Sequence, residues 1–289
     1  MNSMFKLAAA SILVLGIQGL AVAKPIDPTA NRVEAFVPAN PNAPAPAVQL
    51  TSGFEPGEGF APGYIGGQAG WTTFAASSAQ PVINATSPIA GAQDLQIAGD
   101  GTISAGTNTG AFSPDLGPQN VTDPSSLSVD IRITATGGAD YDVVPQAPSQ
   151  SFLSARVKFG FLGTIQILDD TGGGLAFVDT GINWPVNTTF NLRIELDPVA
   201  NTLDYYINNA LIYSSVAGVF AGTQMEQVVL ISDNFQAGEV GEFDNVVLDT
   251  NAGAGVPFTP PAELPFLGNL GLLLAGLLLA GAGLMAIRR

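Results

Sequence analysis

The 289-residue chain contains no cysteine and no histidine. Without cysteine, no disulfide frames the fold and no thiol does chemistry. Without histidine, Ser-His-Asp triads, Cys-His dyads and nearly all catalytic zinc sites are ruled out together. Basic residues are scarce as well: nine Lys and Arg stand against 24 Asp and Glu, a formal net charge of -15. Lys6, Arg288 and Arg289 sit in the two terminal segments, so no basic patch remains to hold phosphates, and no nucleic-acid partner is expected. Catalysis would fall to carboxylates, tyrosine, lysine or serine without imidazole. Any metal would be held by oxygen ligands, which points to calcium.

Apolar runs are confined to the two ends. Lys6 supplies a positive leader, Leu7 to Val22 is apolar except for Ser11 and Gln18, and Ala21-Val22-Ala23 has the small-x-small form of a signal cleavage site. Residues 1–23 therefore read as a cleavable signal peptide, the alternative being an uncleaved anchor. At the other end, Leu267 to Ile287 has Asn269 as its single polar side chain. At about 1.5 Å per residue it spans a ~30 Å hydrocarbon layer as a helix. Arg288-Arg289 closes the chain on the cytoplasmic side, which leaves the bulk of it outside.

A proline-rich lead, Val256-Pro257-Phe258-Thr259-Pro260-Pro261 through Pro265, precedes that span. Lead, span and arginine pair together resemble the PEP-CTERM tripartite sorting tail. The resemblance implies processing by an exosortase in a Gram-negative bacterium that makes extracellular polysaccharide. The chain departs from the pattern in lacking a Pro-Glu-Pro triad, and a plain tail anchor is the alternative.

Between the ends, residues 24–49 are rich in Pro, Ala and Asn and read as an extended linker. Val33 to Val37 would form an edge strand that Pro38 ends. Residues 50–250 carry short alternating runs broken by Gly, Asn, Asp and Pro, the texture of an all-β sandwich. Ser126 to Thr134 points Leu127, Val129, Ile131 and Ile133 one way. Ala155 to Phe161 and Phe190 to Asp197 alternate likewise. Leu203 to Ile207, then Asn208-Asn209, then Leu211 to Tyr213 predicts a hairpin, since Asn tolerates positive φ. Residues 251–265 form a second linker, and 266–289 the transmembrane or sorting tail.

Three segments resemble the concanavalin A-like lectin/glucanase superfamily, laminin-G-like domains included. They are the opening Gly53-Phe54-Glu55 to Gly70-Trp71, the pair Phe190–Asp197 and Leu203–Tyr213, and the closing Glu242-Phe243-Asp244-Asn245-Val246. The resemblance implies a jelly-roll β-sandwich of two antiparallel sheets, with first and last strands side by side. Glu55 and Asp244 would then approach each other, and two carboxylates that close call for a structural calcium ion between them. The alternatives are solvation, a backbone amide or an arginine.

Family 16 glucanases of this superfamily carry a strand with paired glutamates, as a retaining mechanism requires. Here Glu195-Leu196-Asp197 is followed by Pro198-Val199-Ala200, with no second glutamate, so no enzyme activity is expected. Asp169-Asp170-Thr171-Gly172 reads as a hairpin turn rather than a cation loop. Asp233 and Asn234, beside Phe235, suit sugar hydroxyls, with a plain turn as the alternative; Trp71 is either a sugar platform or a core aromatic. The Asn84, Asn120 and Asn187 sequons are accidental in a bacterial host. The expectation is a non-catalytic structural, adhesive or glycan-binding protein, held in transit at the inner membrane and then placed on the cell surface or in the extracellular polysaccharide matrix. A divergent glycoside hydrolase and a ligand-free surface module are the alternatives.

Overall fold

The computed structural model describes residues 49–74, 80–99, 106–235 and 238–250. The signal peptide with Ala21 and Ala23, both linkers apart from Gln49, and the tail with Val256, Pro257, Pro265, Arg288 and Arg289 lie outside the described residues. Within them, no helix is long and apolar enough to cross a membrane.

Among the described residues, seventeen strands and two single 3-10 turns account for the regular structure. In chain order the first strands are β1 (Gln49–Ser52), β2 (Gly63–Tyr64), β3 (Thr72–Phe74), β4 (Val82–Asn84), β5 (Asp94–Ala98) and β6 (Thr109–Phe112). The middle of the chain gives β7 (Ser125–Ile133), β8 (Tyr141–Ala147), β9 (Phe152–Leu153), β10 (Val157–Phe159), β11 (Thr164–Asp170) and β12 (Leu175–Asn183). The last are β13 (Phe190–Asp197), β14 (Thr202–Ile207), β15 (Ala210–Ser214), β16 (Gln227–Ser232) and β17 (Val240–Asp249). They form two antiparallel sheets. The first runs β15-β14-β13-β7-β17-β5-β4-β2, with β1 also on β17; the second runs β12-β11-β10-β8-β16-β6-β3, with β9 on β8.

The alternation read from the sequence sets which face each strand buries. On β7, Leu127, Val129, Ile131 and Ile133 are fully buried, and Phe190, Leu192, Ile194 and Leu196 do the same on β13. These rows meet Tyr141, Val143, Val157, Phe159, Ile165 and Ile167 of the second sheet in one core. Phe159 and Phe190 pack across it, ring centroids 5.3 Å apart. The predicted hairpin is β14–β15, turned by Asn208 and Asn209 at φ 49° and 65°. Two successive positive φ values suit the right-handed twist of the arms, and asparagine adopts them at low cost.

The first and last strands do lie side by side, Ser52 opposite Val246 and Gln49 opposite Asp249. β17 slips register against β7 between Asp244 and Val247, and Asn245 takes φ 47° at that bulge. At the far edge, Asp169 of β11 ties the sheets together. Its carboxylate accepts from the Tyr213 hydroxyl at 2.7 Å, the Ser215 hydroxyl at 2.7 Å and the Val216 N–H at 2.8 Å.

Phe159 is the clearest test of the inter-sheet core. Phe159→Ala should lower the free energy of unfolding by about 3–5 kcal/mol, measured by urea titration followed through tryptophan fluorescence.

Candidate functional site

Glu55 and Asp244, the two carboxylates expected to approach each other, both hold the loop at residues 90–92. Glu55 Oε1 accepts from the Ala92 N–H at 2.8 Å, and Asp244 Oδ2 accepts from the Ala90 N–H at 3.1 Å. Asp244 Oδ1 takes the N–H of Asn245 at 2.7 Å, and the Asn245 amide donates to Asp130 at 2.9 Å. Glu58 Oε2 accepts from the Gly53 N–H at 2.9 Å. Among the described residues, no group of three or more carboxylates is placed to hold a metal ion. Backbone amides thus donate to both carboxylates, one of the alternatives to calcium read from the sequence.

Two other sequence candidates turn inward. Trp71 is 1 % exposed and packs its ring 5.2 Å from that of Phe54, so it offers no platform to a sugar. Asp233 accepts from the N–H groups of Asp140 at 3.0 Å and Phe235 at 3.1 Å, fastening the end of β16 to the start of β8. Asn234 is buried at φ 48°, and its neighbour Phe235 is 45 % exposed. Asp170 is the turn residue expected of it, its carboxylate accepting from the N–H groups of Gly172 and Gly174.

The outer face of the second sheet is different in kind. An outer face of a two-layer sandwich normally meets water and is polar. That holds for the first sheet, where Ser126, Asp130, Arg132, Asn191 and Glu195 stand opposite the core rows. On the second sheet, Phe112, Val144, Leu168, Val229 and Ile231 project away from the main core and form a second apolar cluster. Phe74, Phe177 and Phe220 rest on it half-buried. Phe74 lies against Phe112 with centroids 4.9 Å apart, in the space left by Gly110. A β-carbon at Gly110 would collide with that ring and with the Leu230 carbonyl oxygen.

Charged and amide groups interrupt this floor. The registers set Lys158 opposite Asp142 and Gln166, and Asp142 opposite Ile231; one step along, Val144 faces Val229, and beyond it Gln146 faces Gln227. Arg156 forms an ion pair with Asp142 through Oδ2. Lys158 Nζ lies 3.3 Å from Asp140. Both cations sit over the Phe177 ring, the guanidinium carbon at 5.2 Å and the ammonium nitrogen at 4.4 Å from its centroid. The Gln146 amide donates to Gln227 at 2.6 Å, which in turn donates to the Ser113 carbonyl. Asp142 is 5 % and Gln146 1 % exposed, yet Asp142 Oδ1 and Gln146 Oε1 accept no hydrogen bond. A buried acceptor without a donor costs about 1–3 kcal/mol.

No family model and no curated protein matches the chain. Among solved structures it is similar to a sialidase (TM-score 0.47, 11 % identity), over 72 % of this chain but only 20 % of that one. It is also similar to an endo-β-1,4-glucuronan lyase from the fungus Trichoderma reesei (TM-score 0.45, 9 % identity, 65 % of this chain and 93 % of that one). The carbohydrate binding module CBM66 from Bacillus subtilis gives a TM-score of 0.39 at 14 % identity, over 63 % of this chain and 96 % of that one. Likeness at this level bears on neither ligand nor chemistry. The class that the strand order itself defines is an all-β jelly-roll sandwich of two antiparallel sheets.

Three buried carboxyl groups give the fold a pH dependence. Burial is the main cause in each. It pushes Asp244 up to about 8, helped by the charges of Asp94 and Asp130, and Asp94 to about 6, with Glu242 adding to the shift. Glu239 rises to about 7, with Asp140 and Asp233 nearby. Each folded-state pKa exceeds the unfolded value, so the folded chain binds the proton more tightly. That stabilisation is fully present below about pH 4 and is lost as pH rises through 6 to 8. Melting should therefore occur on the order of 5 °C lower at pH 8.5 than at pH 5.5. Asp244→Asn should flatten the profile, and an equally steep profile in that variant would rule Asp244 out as a cause.

Proposed function

We propose that this chain is an exported, surface-displayed sandwich that binds a glycan across the outer face of its second sheet and performs no chemistry on it. The observation that carries the reading is the pair of orphaned acceptors, Asp142 Oδ1 and Gln146 Oε1, buried on one face of β8. Sugar hydroxyls are the donors such atoms lack. The rings of Phe74, Phe177 and Phe220 supply what the other side of a pyranose needs, an apolar surface for its C–H groups. A few fixed polar groups among aromatic and aliphatic walls is the usual composition of a small-molecule site.

Binding without turnover is supported by the state of the remaining carboxylates. Glu195 is paired with Arg193. Asp197 accepts the N–H groups of Val199 and Ala200 at 2.9 and 2.8 Å, as a turn residue. With no histidine in the chain, no imidazole is at hand for proton transfer.

Export and sorting belong to the same proposal. The signal peptide, the Val256–Pro265 lead, the apolar span and Arg288-Arg289 support delivery to the cell surface or matrix through an exosortase-type system. Expressed in a Gram-negative host with an exosortase gene, the protein should lose residues of its C-terminal tail by intact-mass measurement. In the same host with that gene deleted, it should keep them.

Native affinity gels cast with a panel of neutral and acidic soluble polysaccharides test the binding. At least one polymer should retard the protein without release of reducing ends. Phe177→Ala and Gln146→Ala should each weaken retardation at least roughly tenfold, with melting temperatures within a few degrees of the parent. If no polymer retards the parent protein, the reading falls.

A further inference from the structure

We infer that the segment ahead of β1 lies along this face, Arg32 toward Asp142 and Phe36 toward Gln146, and that a glycan gains the face by displacing it; the displacement rests on the glycan reading, the seat of the segment does not. The need for donors is the first ground. Asp142 Oδ1 and Gln146 Oε1 are buried and accept no hydrogen bond. Buried acceptors are nearly always paired, so the donors have to come from beyond the sandwich. Both side chains stand on the same side of β8, four positions apart, which is about 13 Å along the strand. No small group serves both at that distance. An extended segment has the same rise per residue, and its residues i and i+4 share a side. Arg32 and Phe36 stand in that relation.

Reach and composition are the second ground. Residues 24–48 lie outside the described residues and join the sandwich at Gln49, which pairs with Asp249 at the end of β17. Next to Asp249, the Thr250 hydroxyl donates to Gln119, whose N–H donates to Gln224. Two residues on, the Glu226 N–H donates to the Gln146 carbonyl. The segment therefore enters beside the Gln146 end of β8. The eleven residues 38–48 extend over roughly 36 Å, against ~10 Å between packed sheets, and so can round the sandwich. In an extended run, Arg32, Glu34 and Phe36 alternate with Val33, Ala35 and Val37. Arg32 offers a fork of N–H donors to the unpaired oxygen of Asp142, and Glu34 balances the added charge beside Arg156. Phe36 brings a ring to the half-buried Phe74, Phe177 and Phe220, and the backbone carries donors for Gln146. Residues 251–265 fit less well, with four prolines and no Lys or Arg, and so with fewer donors to give.

The chain has no cysteine, so Ala35→Cys carries a nitroxide at one defined point, on the side turned away from the sheet. Amide NMR signals of Val143, Val144, Val229 and Leu230 should lose intensity, while those of Leu203 and Tyr205 on the first sheet keep theirs. Adding Arg32→Ala and Phe36→Ala should restore the β8 and β16 signals. Unaffected β8 and β16 signals, or equal losses on β14, would overturn the seat of the segment whatever the glycan result. In native affinity gels, read against polymer-free gels, the chain with Arg32→Ala and Phe36→Ala should be retarded at least roughly fivefold more strongly than the parent by any polymer that retards it. Equal retardation of the two would overturn the displacement and leave glycan binding standing. Retardation of neither chain by any polymer would remove the glycan reading and the displacement together, and the spin-label losses would still decide the segment.

Discussion

β8 and β16 are buried on both faces along their whole length, and the rest of the second sheet is arranged around that condition. A strand covered on one side needs apolar residues at every second position. A strand covered on both must also find partners for whatever polar groups its outer side carries. Val144, Val229 and Ile231 meet the requirement with hydrocarbon, and Phe74, Phe177 and Phe220 lie over them. Asp142 meets half of it with Arg156, and Gln146 half of it with Gln227. The unmatched half is what distinguishes this face from a third layer of core. Replacing a buried ion pair by hydrocarbon is commonly neutral or stabilising. Keeping Asp142, Arg156, Gln146 and Gln227 beneath the phenylalanine rings is therefore hard to explain by folding stability.

The same trade of solvent for fixed partners recurs at the β1–β17 edge, with a different outcome. There the buried carboxylates Asp94 and Asp244 are well supplied with amide donors, from Asn84, Ile89, Ala90 and Asn245. Their position is satisfied in geometry but costly in charge, which is why both bind protons well above the usual carboxylate range. The bulge at Asp244–Asn245 serves the loop. It turns one carboxylate under residues 89–92 and passes the next side chain outward to Asp130. The two regions separate cleanly: one has acceptors without donors, the other donors enough but charges crowded together.

Much of the first sheet was legible because it is buried on one side only. Period-two runs such as Leu127–Ile133 and Phe190–Leu196 name their own inward face, and Asn208-Asn209 names its own turn. The resemblance in the opening and closing segments placed β1 beside β17, which the register bears out. That Glu55 and Asp244 accept from the amides of Ala92 and Ala90 could not be read there, because a backbone leaves no trace in a motif. Trp71 could not be placed by type alone. An aromatic after a glycine-rich stretch is equally suited to a surface or a core, and only its packing on Phe54 decides.

The second sheet was harder to read for a physical reason that leaves a mark of its own. Val228-Val229-Leu230-Ile231 and the Val143-Val144 pair break alternation, as strands covered on both faces do. A run of four apolar residues inside the six-residue β16, beside strands such as β7 and β13 that alternate, is a signal that something covers the far side. Ion pairs on that side then cease to be ordinary surface pairs. Arg156 and Lys158 fall at positions that in an alternating strand would face water, and nothing in their spacing announces Asp142, Asp140 or Phe177 across the sheet. Their pairing depends on strand order, which brings β8 between β10 and β16 although some 70 residues separate β10 from β16 in the chain. A face assembled from such segments has its chemistry written in the topology.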